Sequence, residues 1–218
     1  MADTPDTPDS PARPPSRRPL SPYHDAPKLP TEPITIGDIV KGDGPVMLEI
    51  GPGRGRFALE FCAARPDWRV LAIEIRRKSS HILDARMRAR GWSERARCFA
   101  DDAREVLPRI GPDGSVDAAA IHFPDPWWKA RHNKRLVVTD ALVPELARLV
   151  RPGGLVLVQT DVPHRAEAYY PRFAEHPAFE SLGNPYVDDS PFAPARSNRE
   201  AIAIVDGLPV YRMVFRRK

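Results

Sequence analysis

Only two of the 218 residues are cysteines, Cys62 and Cys98, and each sits in an apolar context without a partner at ligand spacing. That excludes a disulfide framework, and both are expected to be reduced, buried thiols. No apolar run is long enough to span a bilayer, and the proline-rich start has no apolar stretch of the secretory-signal kind. A cytoplasmic protein with no membrane partner is the expectation. His24, His81, His164 and His176 show no spacing with cysteines or acids that would build a metal site, so none is expected. Internal repeats are absent. The first 33 residues have almost no large aliphatic side chains, yet they hold ten of the 26 prolines. Such a stretch cannot offset the entropy of ordering itself, so residues 1–33 are expected to be a disordered, polyproline-like arm. The folded domain is expected at 34–218.

What is present suits one ordinary domain. Hydrophobic residues make up 42% and charged residues 28%, enough for a normal core. The net charge of +4 is compatible with a polyanionic partner and proves nothing further. Nothing in the pattern sets an oligomeric state.

From residue 46 short apolar runs alternate with helical periodicity. Strands are expected at 46–50, 70–75, 97–100, 116–123 and 155–160. Helical stretches lie between them at 57–65, 78–90 and 142–150, the last with Leu142, Leu146, Leu149 and Val150 on one face. Arg151-Pro152-Gly153-Gly154 reads as its stop. A polar helix near His164 to Tyr170, an irregular stretch and a final strand at 211–215 follow. This order predicts an α/β fold with a mostly parallel sheet, helices on both faces and an antiparallel edge strand.

The first strand meets the first helix in Leu48-Glu49-Ile50-Gly51-Pro52-Gly53-Arg54-Gly55. Glycines there permit a sharp turn and close approach of a ligand, and the helix start offers free N–H groups. A dinucleotide fingerprint would want glycine at 56, where Arg56 stands, so a ligand lacking a pyrophosphate fits better. Glu74 ends the second strand, 23 residues after Gly51, where a carboxylate can accept from both hydroxyls of a ribose. Alone, the glycines are as well explained by a plain turn. Loop, strand context and acid together favour a nucleoside-cofactor site. The arrangement resembles class I S-adenosylmethionine-dependent methyltransferases. That resemblance, over roughly residues 46–160, implies a Rossmann-like fold and S-adenosyl-L-methionine as cofactor. It also implies that Glu49, Gly51, Gly53 and Gly55 hold the methionine part and Glu74 the ribose. Asp101 and Asp102 both follow the third strand, and Asp102 is preferred as the adenine contact because Asp102-Ala103 precedes a helix as in that family.

The fourth strand runs out into His122-Phe123-Pro124-Asp125-Pro126-Trp127-Trp128-Lys129-Ala130-Arg131-His132-Asn133-Lys134-Arg135. Two prolines restrict the backbone around Asp125. The tryptophans offer flat faces to a base, and five potential cations lie within residues 129–135, His132 included. Any single Trp or Lys here is better read as core or solvated surface. The whole string resembles the signature of bacterial tRNA (guanine-N7-)-methyltransferases, the TrmB family. The resemblance implies tRNA as partner, methylated on a variable-loop guanosine. It makes Asp125 the catalytic or base-positioning carboxylate, also placed at the cofactor, and implies substrate contacts from Lys129, Arg131, His132, Asn133, Lys134 and Arg135. Asp161 matches another substrate position, Ser197-Asn198-Arg199-Glu200 matches the family's Thr-x-x-Glu motif, and residues 207–212 match its closing strand. Three departures stand out. Leu136 occupies the place of a second Arg, Ser197 replaces Thr, and the arm lacks an Arg-rich segment although Arg13, Arg17, Arg18 and Lys28 remain.

Rival readings are a methyltransferase for an exocyclic base amine, which would carry a second proline after Asp125-Pro126, and a nicotinamide-dependent oxidoreductase, weakened by Arg56. A non-catalytic RNA-binding module is disfavoured by the intact cofactor-site residues.

Overall fold

The computed structural model of the chain describes residues 21–124 and 136–218. In chain order its elements are β1 (Ile34–Thr35), α1 (Ile36–Ile39), β2 (Val46–Ile50), α2 (Arg56–Ala64), β3 (Arg69–Ile73), α3 (Arg77–Arg88), β4 (Ala96–Phe99), α4 (Ala103–Val106), β5 (Ile110–Gly111), β6 (Val116–His122), α5 (Leu142–Leu149), β7 (Val150–Thr160), α6 (Pro163–Ala174), β8 (Phe179–Ser181), α7 (Asn198–Val205) and β9 (Tyr211–Arg217). Among the described residues, β1 and β5 form a small parallel pair, and seven strands form one sheet in the order β4-β3-β2-β6-β7-β9-β8. The β4-β3-β2-β6-β7 part is parallel, and β9 runs antiparallel to both β7 and β8.

The period-2 alternation of each strand sorts its side chains onto two covered faces. From β2, Val46, Leu48 and Ile50 join a core with α1, α4, α5 and α6, which supply Ile39, Val106, Leu146 and Phe173 among others. Met47 points the other way, into a second core with Phe57 and Phe61 of α2 and Leu83 and Met87 of α3. All five residues of β2 are buried, as expected of a strand covered on both sides. The chain leaves β2 for β3 on one side and returns to β6 on the other. The sheet thus reverses its winding direction between β2 and β6, and a crevice opens beyond their carboxyl ends.

Three parts differ from the sequence expectations. The arm expected to reach residue 33 carries residues that pack on the domain from Tyr23 onward, where the ring meets His81. Ala26 and Leu29 are buried, Leu29 within the first core, and the Ala100 N–H donates to the Pro27 carbonyl. These contacts, with the Leu29 N–H donated to Asp101, are ones that a composition average conceals. Strand β7 begins at Val150 and carries Arg151-Pro152-Gly153-Gly154 within it, with a register shift against β6 between Val116 and Ala118. The proline and glycines bow the strand rather than end it. Helix α7 occupies a stretch expected to be irregular. Its start was written in Ser197-x-x-Glu200, since the Ser197 hydroxyl accepts from the Glu200 N–H at 3.1 Å as an N-cap does.

Candidate active site

The glycine loop turns through three left-handed residues, Gly51 (φ 72°), Gly53 (φ 60°) and Gly55 (φ 76°), and Gly55 is the N-cap of α2. Side chains at these angles would be strained. At Gly55 a Cβ would also lie 2.3 Å from Leu83, whereas at Gly51 it would meet nothing within 4 Å. The loop is therefore packed where it enters the helix and open where it leaves β2.

Glu74 closes the loop from β3. Its Oε2 accepts from the Gly53 N–H at 2.8 Å, and its Oε1 accepts from the Arg76 N–H at 2.9 Å and the Arg76 Nε–H at 3.0 Å. The hydrogen bond to Glu74 raises the Arg76 guanidinium above its usual range. Glu74 and the glycine loop, predicted to serve one ligand, are thus bonded to each other.

Glu49 and His122 meet beneath the loop. Both lie on the α2 side of the sheet, like Met47, Ala118 and Ala120. His122 Nε2 is 3.9 Å from Glu49 Oε1, beyond hydrogen-bond reach, and both side chains are almost wholly buried. Among the described residues, neither oxygen of Glu49 and neither ring nitrogen of His122 has a hydrogen-bond partner. The Ala58 N–H in the first turn of α2 leans toward Glu49 without reaching hydrogen-bond geometry. Burial first, then the neighbouring Glu74 charge, pushes the Glu49 carboxyl up to about 8. Burial pushes His122 down to about 3. The two groups are therefore neutral together near pH 7, a polar contact rather than an ion pair. The Phe57 ring, with its centroid 4.2 Å from that of the imidazole, walls the other side.

The two aspartates after β4 are differently engaged. Asp101 accepts from the Leu29 N–H at 2.7 Å, so the N-terminal segment occupies it. Asp102 is the N-cap of α4, and its hydrogen bond with the Arg104 side chain holds the carboxyl below its usual range.

Across the sheet the substrate motif gathers around the ends of β6, β7 and β9. The Arg199 guanidinium is paired with Asp161, joining two expected substrate residues. Glu200 is buried and accepts from Gln159 Nε2 at 2.9 Å and Arg212 Nη2 at 2.9 Å. Gln159 stands in register with His122 on one side and Arg212 on the other. Phe123 follows His122 with a left-handed φ of 48°, and its N–H donates to the Gln159 carbonyl at 2.7 Å. The sequence assigns no role to His122, Gln159 or Arg76, and it places Arg212 only within the closing-strand match. The alternation Ala118, Ala120, His122 was the available signal, because it directs the imidazole to the face that carries Glu49. Asp125, Lys129, Arg131, His132, Asn133, Lys134 and Arg135 lie outside the described residues.

These groups fit S-adenosylmethionine on two observations. Glu49 is a buried acid without a partner, and the backbone at Gly51 opens onto free space. Glu49 and the loop could hold the amino-acid part, and Glu74, at the end of the next strand, the ribose. A depression at the opposite rim of the sheet, lined by Pro45, Arg69, Asp117 and Arg151, holds none of these groups.

Comparison with known proteins points the same way. The methyltransferase family model Methyltransf_4 matches residues 43–213. A tRNA (guanine-N7-)-methyltransferase of Synechococcus sp. (strain JA-3-3Ab) is 38% identical over 177 residues, 80% of this chain and 73% of the relative. The enzyme of the same name from Myxococcus xanthus is 36% identical over 173 residues, 78% of this chain and 82% of the relative. Among solved structures, the 16S rRNA methyltransferase KamB superposes with a TM-score of 0.58 at 17% identity, over 83% of this chain and 92% of that one. TrmN from Thermus thermophilus superposes with a TM-score of 0.56 at 22% identity, over 80% and 44%. These two likenesses bear on the fold, which is that of class I methyltransferases, and the nicotinamide reading falls away. By sequence the chain belongs to the family of the tRNA (guanine-N7-)-methyltransferases.

Proposed function

We propose that this protein transfers a methyl group from S-adenosylmethionine to N7 of a guanosine in tRNA, in the variable loop, and that it works in the cytoplasm. The observation that carries the reading is the identity of 36–38% to enzymes of that name over about four fifths of the chain. Buried Glu49 and loop-bound Glu74 at the ends of β2 and β3 support it. Among the described residues no helix is long and apolar enough to cross a membrane.

The cofactor supplies the methyl group on a sulfonium. Guanine N7 carries an in-plane lone pair and no proton, so no base has to deprotonate it before attack. What remains for the protein is alignment. Glu49 and the glycine loop fix one end of the cofactor, and Glu74 fixes the ribose. Asp125, three residues beyond His122, is assigned to the base: its carboxylate either faces the positive charge that develops on the ring or accepts from the guanine N1–H and amino group. Lys129, Arg131, His132, Asn133, Lys134 and Arg135 are assigned to the RNA, together with the Asp161–Arg199 pair and the start of α7. Mass analysis of nucleosides from tRNA treated with the protein and S-adenosylmethionine tests the reading. 7-Methylguanosine is expected, and a product methylated on an exocyclic amine would overturn it.

A further inference from the structure

We propose that His122 is the second acceptor for the ammonium group of the cofactor's amino-acid part, completing with Glu49 a corner that selects a cationic, donor-rich ligand. This inference rests on the reading of the protein as an S-adenosylmethionine enzyme.

A neutral imidazole offers one N–H and one lone pair, and an ionised carboxylate only accepts. Among the described residues, the partnerless buried atoms of this corner are the two oxygens of Glu49, both ring nitrogens of His122 and, on the adjoining strand in register, Oε1 of Gln159. Once Glu49 has given up its proton, acceptors exceed donors whichever ring nitrogen of His122 carries the imidazole proton. Gln159 does not redress this: it gives one N–H to Glu200, and its amide reaches neither Glu49 nor His122 in hydrogen-bond geometry. Buried acceptors without donors are costly, and such a set persists where something else brings the missing protons. A primary ammonium brings three donors and a positive charge, and so answers both the acceptor surplus and the carboxylate. The imidazole suits this task because burial keeps it neutral throughout the working pH range. A protonated His122 would repel the ligand. Phe57 lies against the imidazole at a tilt of 53°, and the ring faces Glu49 with its Nε2 edge, 3.9 Å from Oε1.

The test separates recognition of the ammonium from general support of the fold. S-adenosylhomocysteine carries the ammonium, whereas 5′-methylthioadenosine lacks the whole amino-acid part and keeps the nucleoside. Binding of each is measured by calorimetry for the unaltered protein and for His122→Leu, His122→Gln and His122→Asn. The expected result for His122→Leu is S-adenosylhomocysteine binding weakened by about tenfold or more, the scale of one charge-assisted hydrogen bond, with 5′-methylthioadenosine binding little changed. His122→Gln should recover most of the loss, because its amide reaches the place of Nε2, and the shorter His122→Asn should not. Should the leucine variant fail to fold, the glutamine and asparagine pair decides alone. Equal binding of S-adenosylhomocysteine by those two, or an equal loss for both ligands in His122→Leu, would overturn the proposal. An unaltered protein that binds neither ligand would overturn the cofactor reading itself, whereas one that binds S-adenosylhomocysteine undisturbed by His122→Leu would sink only the role of His122.

Discussion

When a cation docks beside Glu49 it meets a carboxyl that burial and the Glu74 charge hold up to about 8, so the proton must leave as the ligand arrives. Cofactor affinity is therefore expected to rise with pH from below neutrality toward about 8. The groups facing Glu49 do not switch in that window: His122 is held down to about 3, the Cys62 thiol of α2 is pushed up to about 12, and burial raises the Cys98 thiol of β4 as well. Calorimetry in buffers of different ionisation heat would register the released proton. Glu49→Gln should bind without release, and a flat profile in the unaltered protein would refute the argument. The same shift sets a stability slope. Because the folded value lies above the ordinary 4.5, the contribution of Glu49 is complete below about 4.5 and is lost as pH rises through about 8. His122 acts oppositely: its contribution is present above 6.5 and is lost as pH falls through about 3. Glu74→Ala is expected to weaken cofactor binding by at least about tenfold, since it removes a charged acceptor from two hydroxyls. It also strips the Gly53 N–H of its acceptor, so Glu74→Gln should fall between Ala and the unaltered protein in the same titration.

At the scale of elements, α7 and the run after β6 call for different experiments. Glu200 of α7 is buried against Arg212 of β9 and Gln159 of β7. Removing one member of a buried pair strands the other, so Glu200→Ala should destabilise the fold by about 3–5 kcal/mol. Most of that should return in a Glu200→Leu, Arg212→Met double variant, read as melting temperature. If the single variant melted normally, Glu200 would be free to serve RNA as the family motif implies. For the run after β6, Asp125→Ala should cut single-turnover methylation by orders of magnitude with tRNA binding kept. Alanine at Lys129, Arg131 or Lys134 should instead weaken tRNA binding and lower the salt slope of log affinity by roughly 0.7–0.9 for each phosphate that is no longer neutralised. Normal methylation by Asp125→Ala at saturating tRNA would make the carboxylate structural. The parallel strands and amphipathic helices were legible in sequence because burial on both faces leaves an unmistakable apolar record, as in Val46–Ile50. Helix α7 was not, because Ile202, Ile204 and Val205 are exposed and blur its period. The glycine loop singles out the acids Glu49 and Glu74, and strand alternation gives the face of His122, but neither says that His122 comes to lie beside Glu49 or that Arg76 bonds Glu74. Which polar groups meet across strands depends on register, and register is a property of the paired sheet.

For the whole molecule, the N-terminal segment decides where the domain begins. Removing residues 1–20 should barely alter the melting temperature, since their composition offers little to bury. Removing residues 1–30 takes away Ala26, Leu29 and the bond from the Leu29 N–H to Asp101, and should cost about 2–5 kcal/mol, the scale of emptying one large apolar site. Equal melting temperatures for the two truncations would place the boundary back at residue 33. Either truncation is expected to lower tRNA affinity through lost arginines, since Arg13, Arg17 and Arg18 go with both.

Phe123 turns left-handed between the buried strand β6 and the segment that leads to Asp125. A residue with a Cβ pays roughly 1–3 kcal/mol to sit there, a strain that glycine would escape. Selection for thermal robustness alone would thus have reason to drift toward glycine at this position. A glycine, however, would loosen the backbone just ahead of Asp125, the carboxylate proposed to act on the base. Phe123 marks a position where an engineer seeking a hardier enzyme and an engineer seeking a faster one would choose opposite residues.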